Sequence, residues 1–488
     1  MTHVMVRRIL RAAAVTGCIL AASPSAFPQG RGGADWVTTG GDAHRSSWVR
    51  TDPKISAASM SGDKIGFQFM WKKKLGSAAL SQPSLVERYI GYRGFRSYVF
   101  IGDAANNVFA LDSDLARVEW TKKFPIQTGA RSGACPGGMT AGVTQKASAA
   151  WPTANAGRGG FGGRGGPAKS GVGAVGEGAI TIPATTAAAA PGRGPAPPGL
   201  PGGRGRTPSY LTVVSSDGAL HSMYISNGEE PNPPVRFLAA NANAGELTQV
   251  DDIAYAVTSG NCGGVADGVW AYDQESKKIA SWNGEAVGTA FGPDGTVYVT
   301  TAAGDLLALD AKTLAKKGSY SAGQAFASAP VVMERGDKAL VAAAAKDGAI
   351  HVIDGTSLTK VAVSPADSAG GSALASWQDS AAGRWILHGN TAWKLTDAGL
   401  QKGWTVGGNA SSSAAVVNDV VFLLDSGNGS HHAALRAFDG TSGKQLWSSG
   451  DTIAASVAPS GGLAAGGSAV YLGTQDGTLW AFGFPIEH

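Results

Sequence analysis

Two adjacent histidines, His431 and His432, form the part of the chain that most resembles a metal site. Just before them, Asp425 and Asn428 offer the oxygen ligands of half a calcium loop, but the glycine and glutamate of such a loop are missing. Neighbouring residues of a strand point to opposite faces, so adjacent histidines are poorly placed to bind one ion. We therefore expect a hairpin tip here and predict no metal ligand.

The remaining histidines offer no catalytic candidate. They are scattered without the spacing of metal ligands, at His44, His221, His351 and His388. The sequence contains no Gly-x-Ser-x-Gly motif and no phosphate-binding loop that opens a helix. The sequence therefore predicts no catalytic residue.

Thirteen tryptophans could stack on a sugar or a quinone. Most recur near the ends of repeated segments, where packing between sheets accounts for them. Four are less clearly periodic and are the best candidates for exposed aromatic residues, although a core position is favoured for them too: Trp48, Trp377, Trp385 and Trp393. The residues of any cofactor-binding site are left unassigned.

The N-terminus reads as an export signal. A basic start is followed by a short apolar stretch and small residues, which predicts a signal peptide at 1–26 cleaved near Ala26. Cys18 lies in a segment that resembles a lipoprotein box, so lipidation at Cys18 stays open as the alternative. Either outcome places the mature protein in the periplasm or outside the cell. No later segment has the apolar length of a transmembrane span.

Two cysteines remain in the mature part of the chain. Cys135 and Cys262 form an even pair in an oxidising compartment, which predicts a disulfide, with two buried thiols as the alternative. Cys135 lies near the start of a segment rich in Gly, Pro, Ala and Arg, which cannot bury enough apolar surface to fold. We predict a disordered insertion at 126–208, with the disulfide fastening its start.

Positive charge is concentrated in the export signal and in residues 131–206. The net charge of the whole chain is +4, and these two regions hold more positive charge than that. The remaining body is therefore negative, which argues against a nucleic-acid partner.

A five-residue phrase recurs eight times, from VFALD at 108–112 to LWAFG at 479–483. Six of the seven steps are close to the ~40–50 residues of a four-stranded propeller blade, and the longer first step contains the insertion. Around each phrase, alternating strands flank a Gly- or Asn-bearing turn. We predict an all-β, eight-bladed propeller of four-stranded antiparallel blades, or seven blades if the weak unit at 392–396 merges with a neighbour. The spare strand at 67–71 is expected to close the ring in the last blade.

The repeat resembles the pyrroloquinoline-quinone-like repeat (PQQ-like repeat) of quinoprotein-type propellers. The phrase Gly-x-Val-Tyr-Val/Leu-x-Thr-x-Asp-Gly-x-Leu-x-Ala-Leu/Phe-Asp carries the likeness, and residues 441–447 preserve its Gly-Lys-x-x-Trp tail. Residues 35–42, with Trp48 behind them, resemble the start of the same superfamily. The resemblance covers 35–125 and 208–488 and implies one propeller domain at 35–488.

The resemblance implies one of two functions. Dehydrogenases of the family hold PQQ and Ca²⁺ beside a carboxylate base, under a disulfide between adjacent cysteines. This chain has no adjacent cysteines, no Cys-x-x-Cys-His haem site, and no residue that matches the family's calcium or base motifs.

We therefore favour an exported, monomeric, non-catalytic binding or assembly scaffold with no cofactor, whose partner is an envelope protein or glycan. The outer-membrane-assembly lipoprotein propeller of Gram-negative bacteria is a relative of that kind. The alternative is a PQQ- and calcium-dependent oxidoreductase acting on alcohols or sugars.

Overall fold

A computed structural model of the protein describes residues 35–61, 66–91, 94–127, 135–151, 209–367, 372–428 and 430–485. Within these ranges the chain is built from β-strands and turns, and its helical content is one 3₁₀ turn at Cys262–Gly264. The predicted signal peptide, with Cys18 and Ala26, lies outside the described residues. None of the described helical structure is long and apolar enough to traverse a bilayer.

Two strands come first, β1 (Trp48–Val49) and β2 (Gln68–Lys74). The described strands then form seven sheets, which we divide into four-stranded antiparallel blades numbered 1 to 8. Blades 2 and 3 share one eight-stranded sheet, and β1 adds a fifth strand to blade 7. Blade 1 contains β3 (Ser84–Gly91), β4 (Gly94–Gly102), β5 (Asn107–Asp112) and β6 (Arg117–Lys123). Blade 2 contains β7 (Thr144–Ala147), β8 (Tyr210–Val214), β9 (Ala219–Tyr224) and β10 (Val235–Arg236). Blade 3 contains β11 (Ala244–Val250), β12 (Ile253–Thr258), β13 (Gly268–Asp273) and β14 (Lys278–Asn283).

The later blades repeat the same order. Blade 4 contains β15 (Ala286–Phe291), β16 (Val297–Thr301), β17 (Asp305–Leu309) and β18 (Lys316–Ser321). Blade 5 contains β19 (Val331–Arg335), β20 (Lys338–Ala344), β21 (Ile350–Asp354) and β22 (Lys360–Val363). Blade 6 contains β23 (Leu374–Gln378), β24 (Arg384–His388), β25 (Thr391–Thr396) and β26 (Gly399–Thr405). Blade 7 contains β27 (Ser413–Val417), β28 (Val420–Asp425), β29 (Ala434–Asp439) and β30 (Gln445–Ser448). Blade 8 contains β31 (Leu463–Gly466), β32 (Ala469–Gly473) and β33 (Thr478–Gly483), and β2 completes it.

The ring is closed by the N-terminal strand, as the sequence predicts. β2 pairs antiparallel with β33, from Gln68 opposite Gly483 to Lys74 opposite Thr478. Blade 8 also contacts blade 1, where the Gln82 N–H donates to the Ser460 carbonyl at 3.0 Å. First strands of neighbouring blades contact each other at six of the eight blade boundaries, so these strands line the axis. The weak unit at 392–396 forms β25 within a blade of its own.

Local chemistry explains the hairpins. In blade 8 the Asp476 carboxylate accepts hydrogen bonds from the Thr474 hydroxyl and the Thr478 N–H, which holds the turn before β33. Gly477 has a φ of +83°, and a Cβ there would lie 2.5 Å from the Gly76 carbonyl oxygen. Glycine therefore allows both the left-handed turn and the close approach of the chain.

One part of the predicted insertion is ordered. Residues 135–151 lie inside the predicted 126–208 segment, yet they supply β7, the axial strand of blade 2. β7 also runs parallel to β11, with Lys146 opposite Gln249. With four residues and no apolar alternation, β7 gives no strand signal in the sequence. Residues 152–208 lie outside the described residues.

Candidate functional site

The interior of the ring is crossed by residues 36–52, which we call the belt. The belt hydrogen-bonds to every blade in chain order, and its strand β1 pairs parallel with β27. Backbone N–H groups of six axial strands donate to belt carbonyls: Leu85 to Trp36, Gln145 to Val37, Phe291 to Ala43, Val332 to His44, Ser376 to Ser46 and Val416 to Ser47. Blade 3 is reached through the Thr38 hydroxyl, 3.1 Å from that of Thr248, and blade 8 through the Ser468 N–H, 2.8 Å from the Asp52 carboxylate. The belt therefore runs once around the axis.

An ion pair links the belt to blade 3 inside the ring. Arg45 Nη1 lies 3.0 Å from Glu246 Oε1, and the Glu246 side chain is only 8% exposed. Glu246 Oε1 also accepts a hydrogen bond of 2.9 Å from the Thr289 hydroxyl of blade 4. A bulge after Ala244 sets the register of β11 at this carboxylate. The pair neutralises its two charges within the protein, and neither residue is predicted as a site residue from the sequence.

His44, which directly precedes Arg45 in the belt, is buried. Its Nδ1 lies 2.8 Å from the Phe291 carbonyl oxygen, which can only accept, so Nδ1 carries the proton. Its Nε2 is buried and has no hydrogen-bond partner among the described residues. The ring lies against Trp151, with centroids 4.2 Å apart. Trp151 is the last described residue before 152–208.

Cys135 and Cys262 are joined in a disulfide, with their Cα atoms 5.5 Å apart. Cys262 lies in the 3₁₀ turn between β12 and β13 of blade 3. The disulfide fastens the chain that enters β7 to the adjacent loop of blade 3, across the boundary between two blades. Such a crosslink limits the freedom of the unfolded chain and stabilises the folded one.

Comparisons with known proteins agree on the architecture. No family model matches the chain, and no curated protein matches its sequence. The quinohemoprotein alcohol dehydrogenase from Comamonas testosteroni superposes with a TM-score of 0.59, at 12% identity, over 93% of this chain and 81% of its own. A europium-containing methanol dehydrogenase superposes with a TM-score of 0.56, at 10% identity, over 93% and 99%. A computationally designed protein, Ika8, superposes with a TM-score of 0.52, at 13% identity, over 85% and 99%.

The protein has the fold of the PQQ-like propellers. At these identities the likeness concerns the fold, because fold alone does not carry a chemical activity. The function of this protein must therefore be argued from its own side chains.

One grouping in blade 2 has the arrangement of a hydrolase triad and was not identified from the sequence. Ser215 Oγ lies 2.8 Å from His221 Nε2, and His221 Nδ1 lies 2.9 Å from Glu230 Oε2. A nucleophile needs a hydroxyl that gives its proton to the histidine. The Ser215 hydroxyl instead hydrogen-bonds closely to the Asp217 carboxylate, and Ser215 is buried.

Blade 8 shows what this grouping is. Its turn holds the Thr474 hydroxyl 2.6 Å from the Asp476 carboxylate and 3.3 Å from the indole N–H of Trp480. Blade 2 has the same frame, with serine, aspartate and histidine at the corresponding positions. We therefore assign the Ser215 grouping a structural role in the repeat.

His431, in the region where a hairpin tip and no metal ligand were predicted, has a local partner. His431 Nε2 lies 3.0 Å from Asp425 Oδ2, at the tip between β28 and β29. No group of three or more His, Cys, Asp or Glu side chains within the described ranges could hold a metal ion. Burial lowers the pKa of His351 and of His388, which favours their neutral forms.

The four tryptophans considered as exposed candidates occupy other environments. Three are buried in the core, the position that the sequence favours for them: Trp377, Trp385 and Trp393. Trp48 is partly buried and lies beneath two guanidinium groups, those of Arg50 at 4.5 Å and Arg384 at 5.8 Å. None of the four therefore offers an open stacking platform.

Two grooves open on the outside of the ring. One, of about 300 Å³, lies between blades 3 and 4 and is walled by Trp282. The other, of about 390 Å³, lies between the outer strands β22 and β26 of blades 5 and 6. Its wall includes the exposed side chains of Val361 and Val363. The sequence gives Trp282 as a packing residue and gives no signal for either groove.

Proposed function

We propose that this PQQ-like propeller is an exported, non-catalytic binding or assembly scaffold. The observation that carries the proposal is the belt, which occupies the interior of the ring and bonds to every blade. The interior ion pair of Arg45 with Glu246 neutralises its two charges within the protein. Open concave surface lies instead on the outside of the ring, where a partner can reach it.

The described residues do not fit the calcium ion of a quinone-dependent dehydrogenase. Calcium takes six to eight oxygen ligands, usually with several carboxylates among them. Glu246 is the carboxylate of the interior ion pair, and it is bonded to Arg45 and Thr289. The described ranges contain no three-ligand group that could hold a metal. We therefore derive no reaction step through a quinone or a metal.

Export agrees with the disulfide between Cys135 and Cys262, because disulfides persist in oxidising compartments. The signal peptide at 1–26, its lipidated alternative at Cys18 and a monomeric state are parts of the same proposal. Similarity of fold to two dehydrogenases favours the alternative, a quinone-dependent oxidoreductase, on architecture alone.

Affinity capture tests the scaffold role. The purified mature chain is immobilised, exposed to envelope extract, and the retained proteins and glycans are identified. We expect at least one partner that excess soluble mature chain releases. Repeated failure to retain any releasable protein or glycan would contradict the scaffold role.

A further inference from the structure

The groove between blades 3 and 4 combines an aromatic wall with polar groups. Trp282, on the outer strand β14, forms the wall, and Leu307 forms an apolar part of the lining. Glu285, Asp305 and Lys316 also line the groove. A volume of about 300 Å³ is at the lower end of the range for small-molecule sites, roughly 300–1,000 Å³.

Trp282 differs from three of the four other tryptophans on outer strands. Those residues donate their indole N–H groups to carbonyl oxygens of the next blade: Trp71 to Ser113, Trp120 to Ile225 and Trp404 to Gly440. The indole N–H of Trp282 makes no hydrogen bond within the described part of the chain. Its ring lies against Gly284, where a Cβ would come within 2.4 Å of the ring. The ring is thus held in place, while its N–H stays available to a ligand.

The charged residues of the groove are also available. Some lysines elsewhere on the surface form ion pairs, such as Lys122 with Glu230 at 2.8 Å and Lys402 with Asp367 at 3.0 Å. Lys316, Glu285 and Asp305 form no ion pair with any described residue. Two carboxylates and one ammonium group therefore face the groove with their hydrogen-bonding capacity unused.

The backbone around the groove is fixed on both sides. The Gly284 N–H donates to the Asp267 carbonyl at 2.9 Å, and the Ala302 N–H donates to the Glu285 carbonyl at 2.9 Å. Asp267 belongs to the loop that contains Cys262 of the disulfide, and its carboxylate accepts the Asn261 N–H at 2.7 Å. The disulfide thus supports the wall of the groove through a short series of bonds. A site held in this way loses little freedom on binding.

We propose that this groove binds a neutral saccharide. The proposal rests on the scaffold role above and gives the class of partner that the scaffold binds. A sugar ring presents C–H groups on one face, which suits the Trp282 indole, and hydroxyl groups around its edge. Those hydroxyls donate to Glu285 and Asp305 and accept from Lys316 and the indole N–H. The excess of carboxylate over ammonium disfavours anionic polysaccharides.

Affinity gel electrophoresis tests the assignment. The mature chain is run in native gels containing dextran, glycogen or galactomannan, with alginate as the anionic probe. We expect at least one neutral polysaccharide to retard the protein. Trp282→Ala should weaken that binding by about tenfold or more, and Glu285→Gln should weaken it measurably. Phe69→Ala, which removes an exposed aromatic residue of blade 8, should leave the retardation unchanged.

Several results would overturn the proposal. These are no retardation by any neutral polysaccharide, retardation by alginate alone, or equal retardation of folded Trp282→Ala. If Trp282→Ala fails to fold, Trp282→Phe and Glu285→Gln decide, and unchanged binding by both overturns it. A protein found to occupy the groove overturns it as well. If no saccharide binds but a releasable protein partner is still captured, the scaffold role stands without the saccharide site. If neither a saccharide nor a protein partner is captured, both proposals fail.

Discussion

Glu87 lies where blades 8 and 1 meet, close to both ends of the belt. Its Oε1 accepts a hydrogen bond from the Gly467 N–H of blade 8, and its own N–H donates to the Asp35 carboxylate at 2.7 Å. Burial raises the pKa of Glu87 to about 7, and the negative charges of Asp35 and Asp52 add to the rise. The Gly467 bond and the charge of Arg88 act in the opposite direction.

The pH dependence follows from this raised pKa. The ordinary glutamate pKa is 4.5, so the folded protein holds the proton more tightly than the unfolded chain does. The resulting stability is complete below about pH 4.5 and is lost as the pH rises through about 7. Each unit of pKa corresponds to about 1.36 kcal/mol, so the raised pKa corresponds to about 3 kcal/mol of folding stability. Solvent around the partly exposed Glu87 screens the charge and reduces this contribution to about 1–2 kcal/mol.

Urea unfolding of native protein and Glu87→Gln from about pH 5 to pH 8 measures the effect. Glutamine keeps an acceptor for Gly467 but cannot ionise, so we expect the variant to gain stability relative to native protein as the pH rises. Glu230→Gln is the control of opposite sign. Burial works against ionisation of Glu230, but bonds from Lys122 and His221 outweigh it and lower its pKa. Because the lowered pKa of Glu230 lies below 4.5, Glu230→Gln should lose stability relative to native protein as the pH rises to about 5 and should run parallel to it from about pH 5 to pH 8. Profiles of native protein and Glu87→Gln that are also parallel from about pH 5 to pH 8 would contradict the raised pKa of Glu87.

Three further predictions concern packing and crosslinking. Glu246→Gln leaves Arg45 without its counter-charge inside the ring and should lower the free energy of unfolding by about 3 kcal/mol. Replacing both residues by apolar ones should lower it less, and a double-mutant cycle in urea measures the difference. Gly284→Ala places a methyl group 2.4 Å from an indole ring and should lower the free energy of unfolding by about 1–3 kcal/mol, with an unchanged urea midpoint as the contrary result. Cys262→Ser should lower the free energy of unfolding by about 2–4 kcal/mol. Dithiothreitol should lower the urea midpoint of native protein to that of the variant and should leave the midpoint of Cys262→Ser unchanged.

The propeller could be predicted because its information is local and repeated. Each phrase such as LLALD at 306–310 follows a turn such as Gly304-Asp305, and alternation on both sides of the turn marks a hairpin. The closing strand was predictable because blade 8 lacks a fourth strand in its own sequence and the segment at 67–71 supplies one. The sequence left open whether the weak unit at 392–396 is a blade of its own, and the pairing of β25 with β24 and β26 decides it.

The interior and the groove could not be predicted because they depend on contacts between distant residues. The belt bonds through backbone carbonyls, as at Trp36 and Ser47, and any residue type can supply such a carbonyl. Arg45 meets Glu246 only after the ring has formed, so neither residue carries a local signal. Trp282 occupies the same place in its repeat as tryptophans that pack against the next blade. The contacts with the neighbouring blade are needed to find that its indole N–H has no partner among the described residues.

The central claim, that this propeller binds partners and not a catalytic quinone, is tested most directly by titration. Pyrroloquinoline quinone is added to the purified mature chain with and without Ca²⁺, and the absorbance of the quinone is followed. The account predicts no saturable binding under either condition. Saturable one-to-one binding that depends on Ca²⁺ would contradict it and would favour the oxidoreductase.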